Sequence, residues 1–461
     1  MAHPDVRDEQ RLTAKGRATR DRIVQAAAQL IVTDGLSAAN MENVRRAASV
    51  SGSQLAHYFA DKGALIRAVI RRQIGVVLDF HRQPTLRGLS TFDDFEKWIE
   101  MNMRYLRRIG YVGTPTYHAL AGQLAKSDDA TRDALAAGYR RWIDLVEKAI
   151  QRMKDDGLLV ADADPRQLAL VIITAHQGGG ILAFTYQEEW PHADAIRFAV
   201  NYLRMFATDS AERVPRRPPR RSRSRRPRNA GGSVRAQGHQ VTEHPSPRYT
   251  HKGLATRARI IEAAARLMFE RGVANTSMNQ VRRAADVGGS QISHYFHDKR
   301  DLTRHVVDVR RNNVRDFHTQ AKFAALDSLD ALQAWADACV SDIDPVYRVG
   351  GCVYGSLAGE LIEADDEIHD DLAAGYDQWI ELFRTGLQAM CDRGDLRPDA
   401  DPRHLAVPLV AAHQGGALLT HATGDPQPLR AAVTAAVDYV RSFAVSPRKG
   451  GPRAPRGQRN S

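Results

Sequence analysis

Two short runs of small and amide side chains are the residues best placed to do chemistry, Ser51-Gly52-Ser53-Gln54 and Gly288-Gly289-Ser290-Gln291. Their chemistry is recognition. A glutamine amide carries a donor and an acceptor and can pair with the edge of an adenine in the DNA major groove. Small neighbours keep a helix slim enough to enter that groove. Around each run stand groups suited to phosphate: Arg45, Arg46, His57 and Lys62 by the first, Arg282, Arg283, His294 and Lys299 by the second. Tyr58 and Tyr295 lie in the same stretches, with a core role and a contact role both open.

The elements that must hold these residues are legible in the apolar spacing. Ile23, Ala27, Leu30 and Ile31 fall on one helical face, and Ile260, Ala264, Leu267 and Met268 repeat it. Gly35 and Gly272 mark the ends of those helices. Met41, Val44 and Ala48 give a second short face. A break at 49–52 follows, and Leu55, Tyr58 and Phe59 open a third helix. Asp61 and Asp298 suit the N-cap of a fourth. Two short helices around a tight break form a helix-turn-helix, whose second member reads the major groove. Longer helices are expected over 92–109, 129–155, 165–186 and 192–207, and no stretch alternates with the period of a strand. The expected fold class is all-α.

The whole pattern occurs twice. An offset of 237 carries Lys15-Gly16 to Lys252-Gly253, Ala136-Ala137-Gly138-Tyr139 to Ala373-Ala374-Gly375-Tyr376, and His176-Gln177-Gly178-Gly179 to His413-Gln414-Gly415-Gly416. Between 41–62 and 278–299, 15 of 22 positions are identical, whereas 104–118 and 341–355 share almost nothing. A period this long is a duplicated domain pair. The expected domains are 17–77 and 254–314 for the DNA-reading heads and 78–208 and 315–447 for helical effector and dimerisation units. An Arg/Pro linker over 209–249 and a basic tail over 448–461 complete the chain.

The runs VSGSQLAHYFADKGAL and VGGSQISHYFHDKRDL resemble the recognition helix and fourth-helix start of the TetR family of bacterial repressors. The resemblance implies a phosphate contact by Lys62 and Lys299. It departs at Ala56 and Ser293, where the family often has tyrosine, and Ser53 stands where the family's glycine is usual, with Gly52 one place earlier. It also implies that the second domains dimerise and hold a ligand pocket, and that 165–207 and 402–444 form the helices of the dimer interface. Gly351 to Leu361 is similar to the pocket-lining helix start of several relatives, while the first copy departs there with Pro115 and His118-Ala119. Expected pocket residues are Trp98, Tyr117, Trp142 and His176 in the first copy and Trp335, Cys352, Tyr354, Trp379 and His413 in the second. Core packing is the competing role for the aromatic residues, an inert buried thiol for Cys352, and helix packing for the His-Gln-Gly-Gly pair.

Composition narrows the function further. The net charge is +11 over 461 residues, but 211–228 carries +8 and the tail from Arg448 adds +5. The remainder is slightly acidic, so the basic character lies in segments that cannot bury a core. Those segments suit either a solvated tether or an extra phosphate grip. The most apolar run, Leu168 to Ala175, is far short of a membrane span, and no signal-peptide pattern opens the chain. Cys339, Cys352 and Cys391 show no CxxC spacing, and no P-loop, nucleophile elbow or dinucleotide fingerprint occurs. The expectation is a cytoplasmic, cofactor-free, non-enzymatic regulator. It binds an operator in double-stranded DNA and a small-molecule effector, as an intramolecular pseudo-dimer or a homodimer. A non-specific DNA-coating protein and a helical enzyme are the rival readings.

Overall fold

The computed structural model of the chain describes residues 12–34, 36–111, 117–124, 126–216, 249–361 and 366–445. The first copy comprises α1 (Ala14–Asp34), α2 (Met41–Ala47), α3 (Gly52–Tyr58), α4 (Lys62–His81), α5 (Phe92–Arg108), α6 (Tyr117–Leu124), α7 (Asp129–Asp155), α8 (Pro165–Tyr186) and α9 (Trp190–Arg204). The second repeats the order as α10 (His251–Arg271), α11 (Met278–Ala284), α12 (Gly289–Tyr295), α13 (Lys299–His318), α14 (Leu329–Ser341), α15 (Gly355–Glu360), α16 (Asp366–Arg393), α17 (Pro402–Thr423) and α18 (Gln427–Arg441). Among the described residues the only β pairing is a pair of isolated bridges, Leu159 with Ala207 and Leu396 with Ala444. The fold is all-α, as the periodicity required.

Local chemistry sets the helix boundaries. The Asp61 carboxylate accepts the Ala64 N–H at 2.7 Å and Asp298 accepts that of Asp301 at 2.8 Å, so both fourth helices start at the expected caps. Gly272 ends α10 with φ +88°, a left-handed conformation that suits glycine. Residues 209–216, expected to be linker, are instead partly tied down. The Asn201 side chain accepts the Arg216 N–H and donates to the Arg216 carbonyl, both at 3.0 Å. The Arg-rich remainder of the linker and the basic tail lie outside the described residues.

The longest apolar element is α8. Its 22 residues are long and apolar enough to cross a membrane, yet the apolar window is entirely buried in the protein. The eight-residue run seen in sequence underestimates it, because His176, Gln177 and three glycines interrupt the apolar pattern without ending the helix. A helix apolar on all sides needs cover on all sides. α7, α9 and, from the other copy, α17 and α18 provide it.

Glycine sets how close α8 and α17 come. A Cβ on Gly178 would sit 1.8 Å from the Ala411 carbonyl oxygen, and one on Gly415 would sit 1.8 Å from that of Thr174. The second glycine of each pair does a different job. A Cβ on Gly179 would lie 2.6 Å from the Ala195 Cβ of α9, and one on Gly416 would lie 2.8 Å from the Leu429 Cα of α18. One glycine of the motif thus serves the crossing between copies and its neighbour serves packing within a copy. A further close approach joins α6 and α15, where a Cβ on Gly122 would be 2.8 Å from the Gly359 backbone.

Candidate functional site

Each head is built around its third helix. Leu55 and Phe59 of the first copy and Ile292 and Phe296 of the second point inward and are buried. Ser51, Gly52, Ser53, Gln54, Ala56 and His57 are exposed, as are Gly288, Gly289, Ser290, Gln291, Ser293 and His294. Tyr58 and Tyr295 are half-buried against the core, so they belong to both faces. The turn before the helix is tight because Ser49 and Asp286 adopt φ of 51° and 49°. Gly52 and Gly289, by contrast, face open space, and their value there is a slim outer surface. An arginine of the first helix secures the turn in both copies: Arg22 Nε donates to the Ala48 carbonyl at 3.1 Å, and Arg259 Nε to that of Ala285 at 2.9 Å. Sequence spacing alone did not single out these arginines.

The glutamines have a second role. Gln54 Oε1 accepts the Ser51 N–H at 3.0 Å while Ser51 Oγ accepts the Gln54 N–H at 3.1 Å, closing a capping box. Gln291 Oε1 accepts the Gly288 N–H at 2.8 Å. The amide NH₂ remains to face a base acceptor, and the oxygen keeps a second lone pair beside the one in the cap.

The cationic residues differ between copies. Arg45 pairs with Glu42 at 2.7 Å, and Arg46 lies 3.7 Å from the same carboxylate. In the second copy Asn279 stands where Glu42 does, and Arg282 and Arg283 face no acid on their own helix. Lys62 is exposed. Lys299 is half-buried, its ammonium 3.5 Å from the Ala274 carbonyl, and burial holds its pKa below the usual lysine range.

The tryptophans expected at a pocket pack the core instead. Trp98, Trp142, Trp335 and Trp379 are essentially unexposed, and their N–H groups converge on two histidines that the sequence reading missed. His81 Nε2 accepts from Trp98 at 3.1 Å and from Trp142 at 3.3 Å, while its Nδ1 donates to the Val77 carbonyl at 2.8 Å. His318 repeats the clamp with Trp335 at 3.1 Å, Trp379 at 2.9 Å and the Val314 carbonyl at 2.7 Å. Both nitrogens are committed to a neutral ring, and burial pushes each pKa down to about 4. Tyr117 and Tyr354 are likewise buried pins, donating to the Leu135 carbonyl at 2.9 Å and the Leu372 carbonyl at 2.7 Å. They explain the repeated Ala-Ala-Gly-Tyr, because a Cβ on Gly138 or Gly375 would sit 1.8 or 1.9 Å from the tyrosine oxygen.

The comparisons with known proteins match this layout. A family model described as bacterial regulatory proteins of the tetR family covers residues 23–69 and again 260–306. A second, described as the tetracyclin repressor-like C-terminal domain, covers 95–199 and 328–436. The chain belongs to the TetR family. A curated relative, the HTH-type transcriptional repressor DhaR of Mycobacterium sp. (strain GP1), is 23% identical over 174 residues, covering 38% of this chain and 86% of that protein. A solved TetR transcriptional regulator from Chloroflexus aurantiacus is 27% identical over 42% of this chain and 98% of its own, with a TM-score of 0.37. One from Cytophaga hutchinsonii is 22% identical over 43% and 100%, with a TM-score of 0.40. Two TetR-type heads make this chain a sequence-specific DNA-binding regulator. Neither rival reading, an unspecific DNA coat or a helical enzyme, finds support.

The two halves of this TetR chain differ where sensing is expected. Tyr139 donates to Gln177 Oε1 at 2.8 Å in the first copy. In the second, the corresponding Tyr376 hydroxyl and Gln414 Oε1 are both buried without a hydrogen-bond partner. Gly355 explains the change, since the Gln414 side chain fills the space where a Cβ at 355 would be, 1.5 Å from Nε2. Position 118 of the first copy carries histidine where the second has Gly355. Gln414, Cys352, Ser356, Leu418 and His421 then line a cavity of about 20 Å³, closed from the other copy by Gly122 and Lys126. That is room for about one water. Of the expected pocket residues, Cys352 lines this cavity, and burial pushes its thiol pKa up, away from reactivity. His176 is held by Asn102 at 2.9 Å and His413 by Tyr347 at 2.8 Å, and burial pushes the His413 pKa down to about 3.

Proposed function

We propose that this chain is a ligand-responsive repressor that acts in the cytoplasm as a single-chain pseudo-dimer on a near-palindromic operator. The observation that carries the reading is the reciprocal glycine crossing of α8 and α17, which joins the two halves of one chain as two subunits would be joined. The repressor named among the relatives supports the sign of regulation. Ser51, Gly52, Ser53 and Gln54, with Gly288, Gly289, Ser290 and Gln291, are the base-facing residues. Arg45, Arg46, His57, Lys62, Arg282, Arg283, His294 and Lys299 hold phosphates, with Tyr58 and Tyr295 at the rim.

The recognition helices differ at Ser51/Gly288, Leu55/Ile292 and Ala56/Ser293. Leu55 and Ile292 are buried, so two exposed differences remain to distinguish the half-sites. The effector enters the second copy, where Gln414 Oε1 is unsatisfied and the cavity must open to admit more than a water. Operator selection with the full chain, followed by native mass measurement of the complex, tests the reading. Two similar inverted half-sites carrying one 51.1 kDa chain are expected. Two unrelated half-sites, or two chains per operator, overturn it.

A further inference from the structure

The seam between the halves has a symmetric part and a one-sided part. The glycine crossing is reciprocal: Gly178 lies on the Ala411 carbonyl and Gly415 on that of Thr174. It would serve any pairing of the two kinds of half equally well. The polar contacts are different. Lys126 of the first half donates to Glu360 Oε1 of the second at 2.7 Å, and also to Ser356 Oγ at 3.3 Å and the Met268 carbonyl at 3.1 Å. The two charged side chains are only 4% and 7% exposed. The sequence counterparts of Glu360 and Lys126 are Gln123 and Glu363, so the reciprocal contact has no ion pair to make. Gln123 Oε1 is in fact buried without a hydrogen-bond partner. Asp194 of the first half lies 3.2 Å from His404 of the second, and their counterparts are Ala431 and Gln167. Tyr186 donates to Asp377 at 2.8 Å, and the counterparts there are Thr423 and Arg140.

We infer that this seam pairs a first half with a second half and rejects a like half, a choice that rests on the pseudo-dimer reading. Two first halves would set the buried Lys126 ammonium against Gln123 and Asp194 against Gln167. Two second halves would leave the buried Glu360 carboxylate without Lys126 and set His404 against Ala431. A buried charge that loses its partner keeps its desolvation cost and gains nothing in return. Specificity is a difference between pairings. The shared glycine crossing provides the affinity, and the one-sided charges provide the difference.

Duplication alone does not require this. A tether of this length raises the local concentration of the second half to about millimolar, which is enough to favour pairing within the chain. The divergence of both partners of the Lys126–Glu360 contact does more, because it makes the pairing independent of the tether. The asymmetry has a functional reach as well. Glu360 also accepts the Val273 N–H just past α10, so the seam contact touches the second head and has no charged equivalent at the first.

The test starts from the folded full chain with a specific protease site placed within 217–248. After cleavage and overnight exchange in mild denaturant, native mass spectrometry counts first–first, first–second and second–second pairs. The wild-type seam is expected to leave the first–second pair at least tenfold above either like pair. A chain carrying Lys126→Met, Glu360→Gln, Asp194→Ala and His404→Gln keeps the glycines and loses the charges. It is expected to scramble toward a mixture in which like pairs make up about half. Scrambling of the wild-type halves, or a substituted chain as selective as the wild type, overturns the inference and leaves the pseudo-dimer standing. Uncleaved chain at twice 51.1 kDa, or cleaved halves that separate into single fragments, overturns the pseudo-dimer reading itself and the inference with it.

Discussion

Gln54 has one amide with which to cap its helix and read a base. Its residue type was legible in the sequence as a reader of adenine, but the capping box depends on the backbone geometry at Ser51. His81 and His318 were not legible at all. A lone histidine in an apolar helix carries no signal until the tryptophans that aim at it are known, and those lie 17 and 61 residues away. The clamps have a consequence in acid. The rings of His81 and His318 titrate at about 4 in the folded chain, against about 6.5 when unfolded, so below pH 6.5 the unfolded chain binds more protons. Their contribution is complete above pH 6.5 and is lost as the pH falls toward 4, on the order of 3 kcal/mol per clamp. Urea unfolding followed by tryptophan fluorescence should show that loss in the wild type. His81→Gln with His318→Gln should flatten the slope between pH 6.5 and 4 while lowering stability at pH 7. A slope unchanged by the substitutions would mean that other groups set the acid limit.

At the scale of elements, glycine decides which helices can touch. The repeat of Ala-Ala-Gly-Tyr was visible in sequence, yet its reason is a tyrosine oxygen from another helix, 1.8 Å from where the Gly138 Cβ would be. Gly138→Ala gains helix propensity of about 1 kcal/mol and loses about 1–3 kcal/mol to overpacking. A lowered melting temperature is expected. Tyr117→Phe in the same chain removes the closest atom and should recover part of the loss. A Gly138→Ala chain more stable than wild type would mean that Tyr117 moves aside freely. The His-Gln-Gly-Gly motif shows how far sequence goes at this scale. Close helix approach was expected from it. That the first glycine meets the other copy and the second meets its own α9 is a matter of crossing geometry.

At the scale of the molecule, the two heads are alike in their recognition helices and unlike in the charges behind them. Glu42 sits between Arg45 and Arg46, and the second copy has no acid at the matching Asn279. An exposed ion pair of this kind is weak, so its effect on DNA is modest. Glu42→Asn should tighten operator binding by about threefold at low salt and steepen the salt dependence, because Arg45 and Arg46 then both turn to phosphate. The change should map to the half-site under the first head. Equal affinity and equal salt slope in mobility-shift titrations would mean that these arginines do not reach the backbone.

The sequence by itself determined that this protein is a helical unit written twice, with a DNA-reading head at the front of each copy. Apolar periodicity, N-cap residues and a near-identical recognition helix are local properties, and they survive translation along the chain by 237 positions. The tertiary structure decided what the second domains do with their residues. It turned the expected pocket tryptophans into clamps on two histidines and moved the cavity to a seam where Lys126 of one copy meets Cys352 and Gln414 of the other. The physical reason is distance along the chain. A helix is specified by neighbours within a few residues, whereas a cavity or a buried ion pair is specified by groups that share no local pattern. Lys126 and Glu360 stand 234 positions apart, and only packing brings them together.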